Sequence, residues 1–344
     1  MRARLSHFFQ SLWFGSSRVS VLLLPFSGVV RTLVWLKRMW FLCFPPEKKH
    51  VPVVVVGNLT VGGVGKTPLL IHLVKTLVSR GLKVGVVSRG YGAQQCSAWP
   101  FPRFVALDQP VSNFGDEPAM IARSCGVPVV IDPQRVNALE ALLQRYPTLD
   151  LVVSDDGLQH YQLPRDFEIV VTDARGWGNG FLLPAGPLRE PLSRLGSVQH
   201  LVVNSMSHDR PKVVGETLPV SYMQVVPEGV YRVVDDSLVA DWQTLLPGAP
   251  KIQAVAGIGH PQRFFATLIQ MGLKFEQHIF PDHHAYSDAD FEVLDHQAVI
   301  LVTEKDAVKL RSMDLPQLWY LKISINLFPD DVLLNELLAL KVRK

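Results

Sequence analysis

Two features of the amino-acid sequence predict an α/β protein with a parallel sheet covered by helices on both faces. The first is a rhythm in which short runs of β-branched residues alternate with helical stretches. The second is a glycine-rich turn, TVGGVGKT at 60–67, set directly between such a run and a helix. The chain has 344 residues and is 48% hydrophobic, which suffices for a full core and two packed units.

The leader comes first. Residues 1–50 carry eight basic groups and one acid, Glu47, although the whole chain has a net charge of only +3. A basic leader therefore precedes a mildly acidic body. The leader is also apolar, because 19–30 (VSVLLLPFSGVV) and 39–46 hold no charge. Each run is shorter than the roughly 20 residues that span a bilayer, and spanning would bury Arg31. The pattern predicts that 1–48 is a membrane-associating helix, or a broken helical pair, lying in the interface. Trp13, Trp35 and Trp40 would sit among headgroups, and the basic groups on anionic phosphates. Cys43, Cys96 and Cys125 form no C-x-x-C pair. That argues against a disulfide framework or a structural zinc and fits a reducing, cytosolic compartment.

Residues 49–205 read as the core unit. VPVVVVG (51–57) suits a buried parallel strand, and 68–79 a helix that Gly81 ends. Further strands are expected at 83–88, 127–131, 149–154, 168–172 and 200–204, with helices at 117–124 and 134–145. Residues 206–250 read as a linker or small sheet in which SYMQVV and GVYRVV pair. The αβ rhythm returns over 251–344. Strands are expected in IQAVAGIG, KFEQHIF, AVILVTE and LWYLKISI, with helices over 262–271 and near 287–296. This predicts a second, smaller α/β lobe that closes over the first.

The turn at 60–67 has the chemistry of a phosphate loop. Gly62, Gly63 and Gly65 let the backbone amides of Thr60, Val61, Gly62, Gly63, Val64 and Gly65 turn onto a phosphate chain. The helix N-terminus adds partial positive charge. Lys66 reaches the β- and γ-phosphates, and the Thr67 hydroxyl serves Mg²⁺. The fold is thus P-loop NTPase-like, with Thr60 where the usual pattern has its first glycine.

LDLVVSDDGLQH, 149–160, ends an apolar strand in Asp155 and Asp156. Carboxylates at such a strand end hold Mg²⁺ directly or through water, and Asp155 is favoured as the ligand. Asp116 and Glu117 open the helix of NFGDEPAMIA. Capping alone would favour acids there, yet one of them could also accept the proton of an attacking hydroxyl. FPDHHAYSD packs Asp282, His283 and His284 together without zinc-site spacing. A histidine beside a catalytic acid orients it. Arg89, Arg135 and Arg189 follow strands or lie in turns and are candidates for anionic groups, although a surface ion pair is the plainer use of each.

GNLTVGGVGKTP, SRGYG, GDEP, DDGLQH, LLPAGPLREP, AGIGHPQRFF, FPDHHAY and TEKDAVK, in that order over about 15–325, resemble the tetraacyldisaccharide 4′-kinase family of the lipid A pathway. The Thr60 departure is part of that family's loop. The resemblance implies transfer of the ATP γ-phosphate to the 4′-hydroxyl of a tetraacyldisaccharide 1-phosphate, with ATP and Mg²⁺ as cofactors. It implies Asp116 as base, with His283 as its orienting partner and His284 as the less favoured choice. It further implies metal and substrate contacts from Asp155, Asp156, Gln159 and His160, and substrate contacts from Glu117, Arg135 and Arg189. The expected partners are the lipid substrate and the membrane surface, on the cytoplasmic face of the inner membrane; neither a nucleic acid nor an obligate protein partner is expected. A P-loop GTPase or ATPase switch is the alternative. It would share Lys66, Thr67 and Asp155, but it needs a guanine-reading N-K-x-D segment, and TEKD at 303–306 has the wrong order.

Overall fold

The structure, a computed structural model, describes every residue except 1–8, 10, 16–17, 96–98, 206–217, 240–242, 244–250, 293, 295–297, 312, 314, 316 and 343–344. Arg2, Arg4, Cys96 and much of the expected linker therefore lie outside the described residues. Cys43 and Cys125 are free thiols.

In the leader, residues 11–14 are helical and Gly15 is a bend; after a 3₁₀ turn at Arg18–Leu23 comes a continuous helix, α1 (Leu24–Cys43). α1 itself is not broken at Pro25 or Arg31. Pro25 sits in the first turn of α1, where its missing N–H is not needed, and Arg31 interrupts nothing because a long basic side chain can ride on a helix surface. By length and composition Val19–Cys43 is enough to cross a membrane. One side of it, however, rests on protein. Buried Ser27 donates to Leu182 O (2.8 Å) and accepts from the Ala185 amide (3.1 Å). Lys37 donates to Gln159 O (3.1 Å) and Arg38 to Ser197 Oγ (2.9 Å). Leu22, Phe26, Leu33, Trp35 and Trp40 are left exposed, Leu22 at 76%.

β1 (Val53–Gly57), β2 (Val84–Ser88), β4 (Val129–Ile131), β5 (Leu151–Asp155), β6 (Phe167–Asp173) and β7 (His200–Asn204) are fully or almost fully buried. That is why they appear as unbroken apolar runs. Helices α2 (Lys66–Ser79), α3 (Asp116–Cys125) and α4 (Arg135–Arg145) cover them, and β3 (Arg103–Phe104) adds an antiparallel edge. α2 turns Leu70, Leu73, Val74 and Leu77 inward at helical spacing.

SYMQVV and GVYRVV do not pair with each other. SYMQVV and the GVYR of GVYRVV belong to one long strand, β8 (Val220–Arg232). Pro227-Glu228-Gly229, which has the composition of a turn, is instead a bulge, where the register against the partner strand shifts between Lys322 and Ile323. The second unit follows: β9 (Ile252–Ala256), α5 (Pro261–Gln270), β10 (Glu276–Ile279), α6 (Asp288–Glu292), β11 (Val299–Thr303), α7 (Glu304–Leu310), β12 (Leu318–Phe328) and α8 (Asp330–Val342). Its strands continue the first unit's sheet, in the order β10-β9-β11-β12-β8-β7-β6-β1-β5-β2-β4-β3. The seam is the antiparallel β8–β12 ladder. One core cluster crosses it, joining Leu69 and Leu73 of α2 to Ile325, Leu333 and Leu337.

Candidate active site

The loop after β1 is shaped for a phosphate chain. Gly65 is left-handed (φ 95°), and a β-carbon there would meet Asn204 Nδ2 at 2.6 Å and Met223 Cε at 2.9 Å. Only glycine satisfies both the backbone and the space. The loop's carbonyls are held by side chains. Asn58 Nδ2 donates to Thr60 O (2.6 Å) and Gly62 O (3.3 Å), Arg175 to Gly63 O (3.0 Å), and Asn204 to Val64 O (3.0 Å). In a trans peptide the N–H points opposite the carbonyl. Fixing those carbonyls outward therefore turns the amides of Gly63, Val64 and Gly65 the other way, while the Val61 amide is spent on Pro187 O (2.9 Å). Thr67 follows Lys66 in the first turn of α2.

Lys66 Nζ lies 3.1 Å from Asn58 Oδ1 and 3.3 Å from Asp156 Oδ1. Asp156 also pairs with Arg189 (3.2 Å), and its carbonyl accepts from Arg135 (2.9 Å). Burial pushes its carboxyl up, but Lys66 and Arg189 outweigh that and hold it below the usual range. Asp155, at the end of β5, accepts from Ser88 Oγ (3.1 Å). Burial and the neighbouring Asp156 push Asp155 up to about 6, against the pull of Lys66, and Glu117 adds to the rise. Gln159 donates to Asn58 O (3.1 Å) and accepts from Arg189 (3.4 Å). Burial, with the charges of Arg135 and Lys37, presses His160 down to about 4, so its ring is neutral. Arg89 is exposed, with no recorded ion pair among the described residues.

The second cluster is assembled across the seam. Asp116 opens α3 after Gly115, whose φ is 90° and whose β-carbon would meet Tyr91 O at 2.2 Å. The SRGYG and GDEP segments can lie together only because this residue is glycine. His283, not His284, reaches Asp116: Nδ1 is 2.9 Å from Oδ2. His284 turns to Asp290 (3.2 Å) and stacks on Phe280. Lys305 bridges Glu117 (2.7 Å), Asp282 (3.3 Å) and His283 Nε2 (3.4 Å). Lys309 lies between Asp306 (2.9 Å) and Asp116 (3.9 Å). Burial raises the Asp116 carboxyl, but the His283 hydrogen bond and the two ammonium groups more than reverse it, so it sits low. The same hydrogen bond lifts His283 above its ordinary value, against burial and Lys305. Asp156 and His283 are two of the three non-glycine residues with positive φ among those described (46° and 60°). Such backbone strain concentrates at functional sites.

Sequence reasoning missed Asn58, Lys305, Lys309, Arg175 and Asn204 as contributors. A signal existed for the lysines, since positions 305 and 309 of TEKDAVK share one face of a helix.

Residues 19–343 match the family model described as Tetraacyldisaccharide-1-P 4′-kinase. This chain belongs to the tetraacyldisaccharide 4′-kinase family. Among curated members, the tetraacyldisaccharide 4′-kinase of Legionella pneumophila (strain Corby) is 41% identical over 324 residues, covering 94% of each chain. That of Alcanivorax borkumensis is 44% identical over 329 residues, again covering 94% of each. A crystal structure of the family's LpxK from Aquifex aeolicus in complex with ATP superposes with a TM-score of 0.80 at 27% identity, covering 94% of this chain and 99% of that one.

Proposed function

We propose that the two clusters form one kinase centre, in which ATP on the phosphate loop donates its γ-phosphate to the 4′-hydroxyl of a tetraacyldisaccharide 1-phosphate. The observation that carries this reading is the placement of the Asp116–His283 pair beside the Lys66–Asp155–Asp156 group, with Glu117 close enough to Asp155 to raise it. Asp116, ionised at neutral pH, accepts the proton of the attacking hydroxyl and aims its oxygen at phosphorus. His283 fixes the carboxylate's orientation. Lys66 and the loop amides take the charge that builds on the phosphate oxygens. Arg135, Arg189, Gln159 and His160, grouped about Asp156, would meet substrate groups, as would Glu117 beside Lys305. On this reading 49–205 handles the nucleotide and 251–344 completes the site over it.

A magnesium ion fits the donor set. Asp155, Asp156 and the Thr67 hydroxyl are hard oxygen donors, and Mg²⁺ takes few protein ligands while keeping water and phosphate oxygens. No group of three His, Cys, Asp or Glu residues converges among those described, so phosphate would complete the shell. The ion would neutralise charge between the β- and γ-phosphates. Among the described residues Asp155 makes no ion pair whereas Asp156 makes two, so Asp155 is the better ligand. Asp155→Asn is expected to raise the Mg²⁺ concentration for half-maximal activity by about tenfold or more. An unchanged titration would transfer the role to Asp156.

The exposed apolar side of α1 meets the inner membrane on its cytoplasmic face, where an acyl-chain substrate resides. Replacing Leu22, Trp35 and Trp40 together by serine is expected to cut partition onto anionic vesicles by an order of magnitude or more. Co-sedimentation measures this. The central test uses γ-labelled ATP, Mg²⁺ and the 4′-hydroxyl lipid, followed by location of the label; a label elsewhere on the lipid overturns the assignment.

A further inference from the structure

The segment 173–190 carries Arg189 and lies against Trp13, Phe14 and Ser27, and one guanidinium in it joins four parts of the molecule. Arg175 Nε donates to both Asp173 oxygens (3.1 and 3.0 Å), and its NH2 group donates to Asp173 Oδ2 (2.7 Å). The same NH2 group donates to Gly63 O in the phosphate loop (3.0 Å), and NH1 donates to His260 Nε2 of the second unit (3.0 Å). Asp173, 3% exposed at the end of β6, also receives Arg263 of α5. The guanidinium carbon lies 5.1 Å from the centre of the Phe14 ring. The adjoining Trp13 is fastened to the same segment, donating to Pro184 O (2.9 Å) and accepting from the Asn179 amide (2.9 Å). None of these contacts belongs to the Asp116 or Asp156 clusters.

We propose that Arg175 is a positioning residue that couples the N-terminal segment to the shape of the phosphate loop. By pinning the Gly63 carbonyl outward, it keeps the following amide turned toward the phosphate chain. Its own position depends on Asp173 below, His260 from the second unit and the Phe14 face beside it, where a cation is favoured. A planar fork can serve these partners together; a lysine ammonium cannot. Seating of the N-terminal segment is thereby translated into affinity for the triphosphate.

The inference rests on the phosphate-loop reading above. Its test measures the ATP KM and kcat of the full chain on phosphatidylethanolamine–phosphatidylglycerol vesicles carrying the lipid acceptor, for Phe14→Ala, Arg175→Lys, Arg175→Ala and the double alanine variant. Arg175→Ala and Arg175→Lys are each expected to raise the ATP KM about tenfold with kcat within about threefold, since ground-state contacts to nucleotide are what is lost. Phe14→Ala is expected to raise it about threefold alone and to add nothing to Arg175→Ala, because coupled residues are not additive. Additive effects, or an unchanged ATP KM in Arg175→Lys, overturn the proposal. If Arg175→Ala does not fold, the cycle is run on Arg175→Lys, whose charge is kept. Lys66→Ala separates the two readings. Normal ATP binding in that variant removes the phosphate-loop reading itself, whereas lost binding there with wild-type affinity in Arg175→Lys removes only this inference.

Discussion

Lys66→Ala is expected to lower kcat/KM for ATP on the order of 10³-fold, because a donor aimed at developing charge in a site of this kind is worth that much. The structure adds a second loss. Lys66 is the charge that restrains the rise of Asp155, whose carboxyl already stands at about 6 under burial and the push of Asp156. Without the ammonium, Asp155 loses that restraint and its carboxyl moves further up. The sign is fixed: a raised carboxylate is uncharged below its pKa, so activity that needs Asp155 ionised is recovered as pH increases. The residual activity of Lys66→Ala should therefore climb with pH where the parent's is flat. A pH-independent residue of activity would show that Asp155 does not titrate in the working site.

Asp116→Asn is expected to lower kcat by about 10²–10⁴-fold, the range that one acid–base group contributes, with the ATP KM changed little. Asparagine keeps the shape of the helix start, so the comparison removes the base without removing the residue. Normal turnover would leave Asp116 as a first-turn acid that only favours the helix start. Its partner gives a subtler readout. The His283 hydrogen bond is the chief influence that overcomes burial and keeps the Asp116 carboxyl low. Removing it in His283→Ala lets that carboxyl rise. Activity needing the ionised form is present above this pKa and lost below it, so the acid limb of the kcat profile should move to higher pH. A limb that stays in place would mean that His283 does not touch the working carboxylate.

Much of the first unit could be read directly because its strands are buried on both sides. VVVV in β1 and the runs of β2, β5, β6 and β7 are apolar throughout, and a parallel sheet demands this. The phosphate loop was legible for a different reason: close backbone approach and a left-handed turn leave few alternatives to glycine at Gly65. β8 was not legible. Pro227 and Gly229 have turn chemistry, and only the partner strand β12 reveals that they bulge within a ladder. The lysines of α7 were hidden by topology. Nothing in their local sequence says that the sheet order brings Lys305 against Glu117 and Lys309 toward Asp116. His283 and His284 are alike in sequence, and tertiary placement alone separates the one facing Asp116 from the one facing Asp290.

The β8–β12 ladder makes a single elastic plate of two units that a flexible tether would have left to tumble apart. Strain applied at either rim travels through hydrogen-bonded strands instead of dissipating in slack. A carboxylate from one side of the seam and an imidazole from the other are thus held at a 2.9 Å spacing.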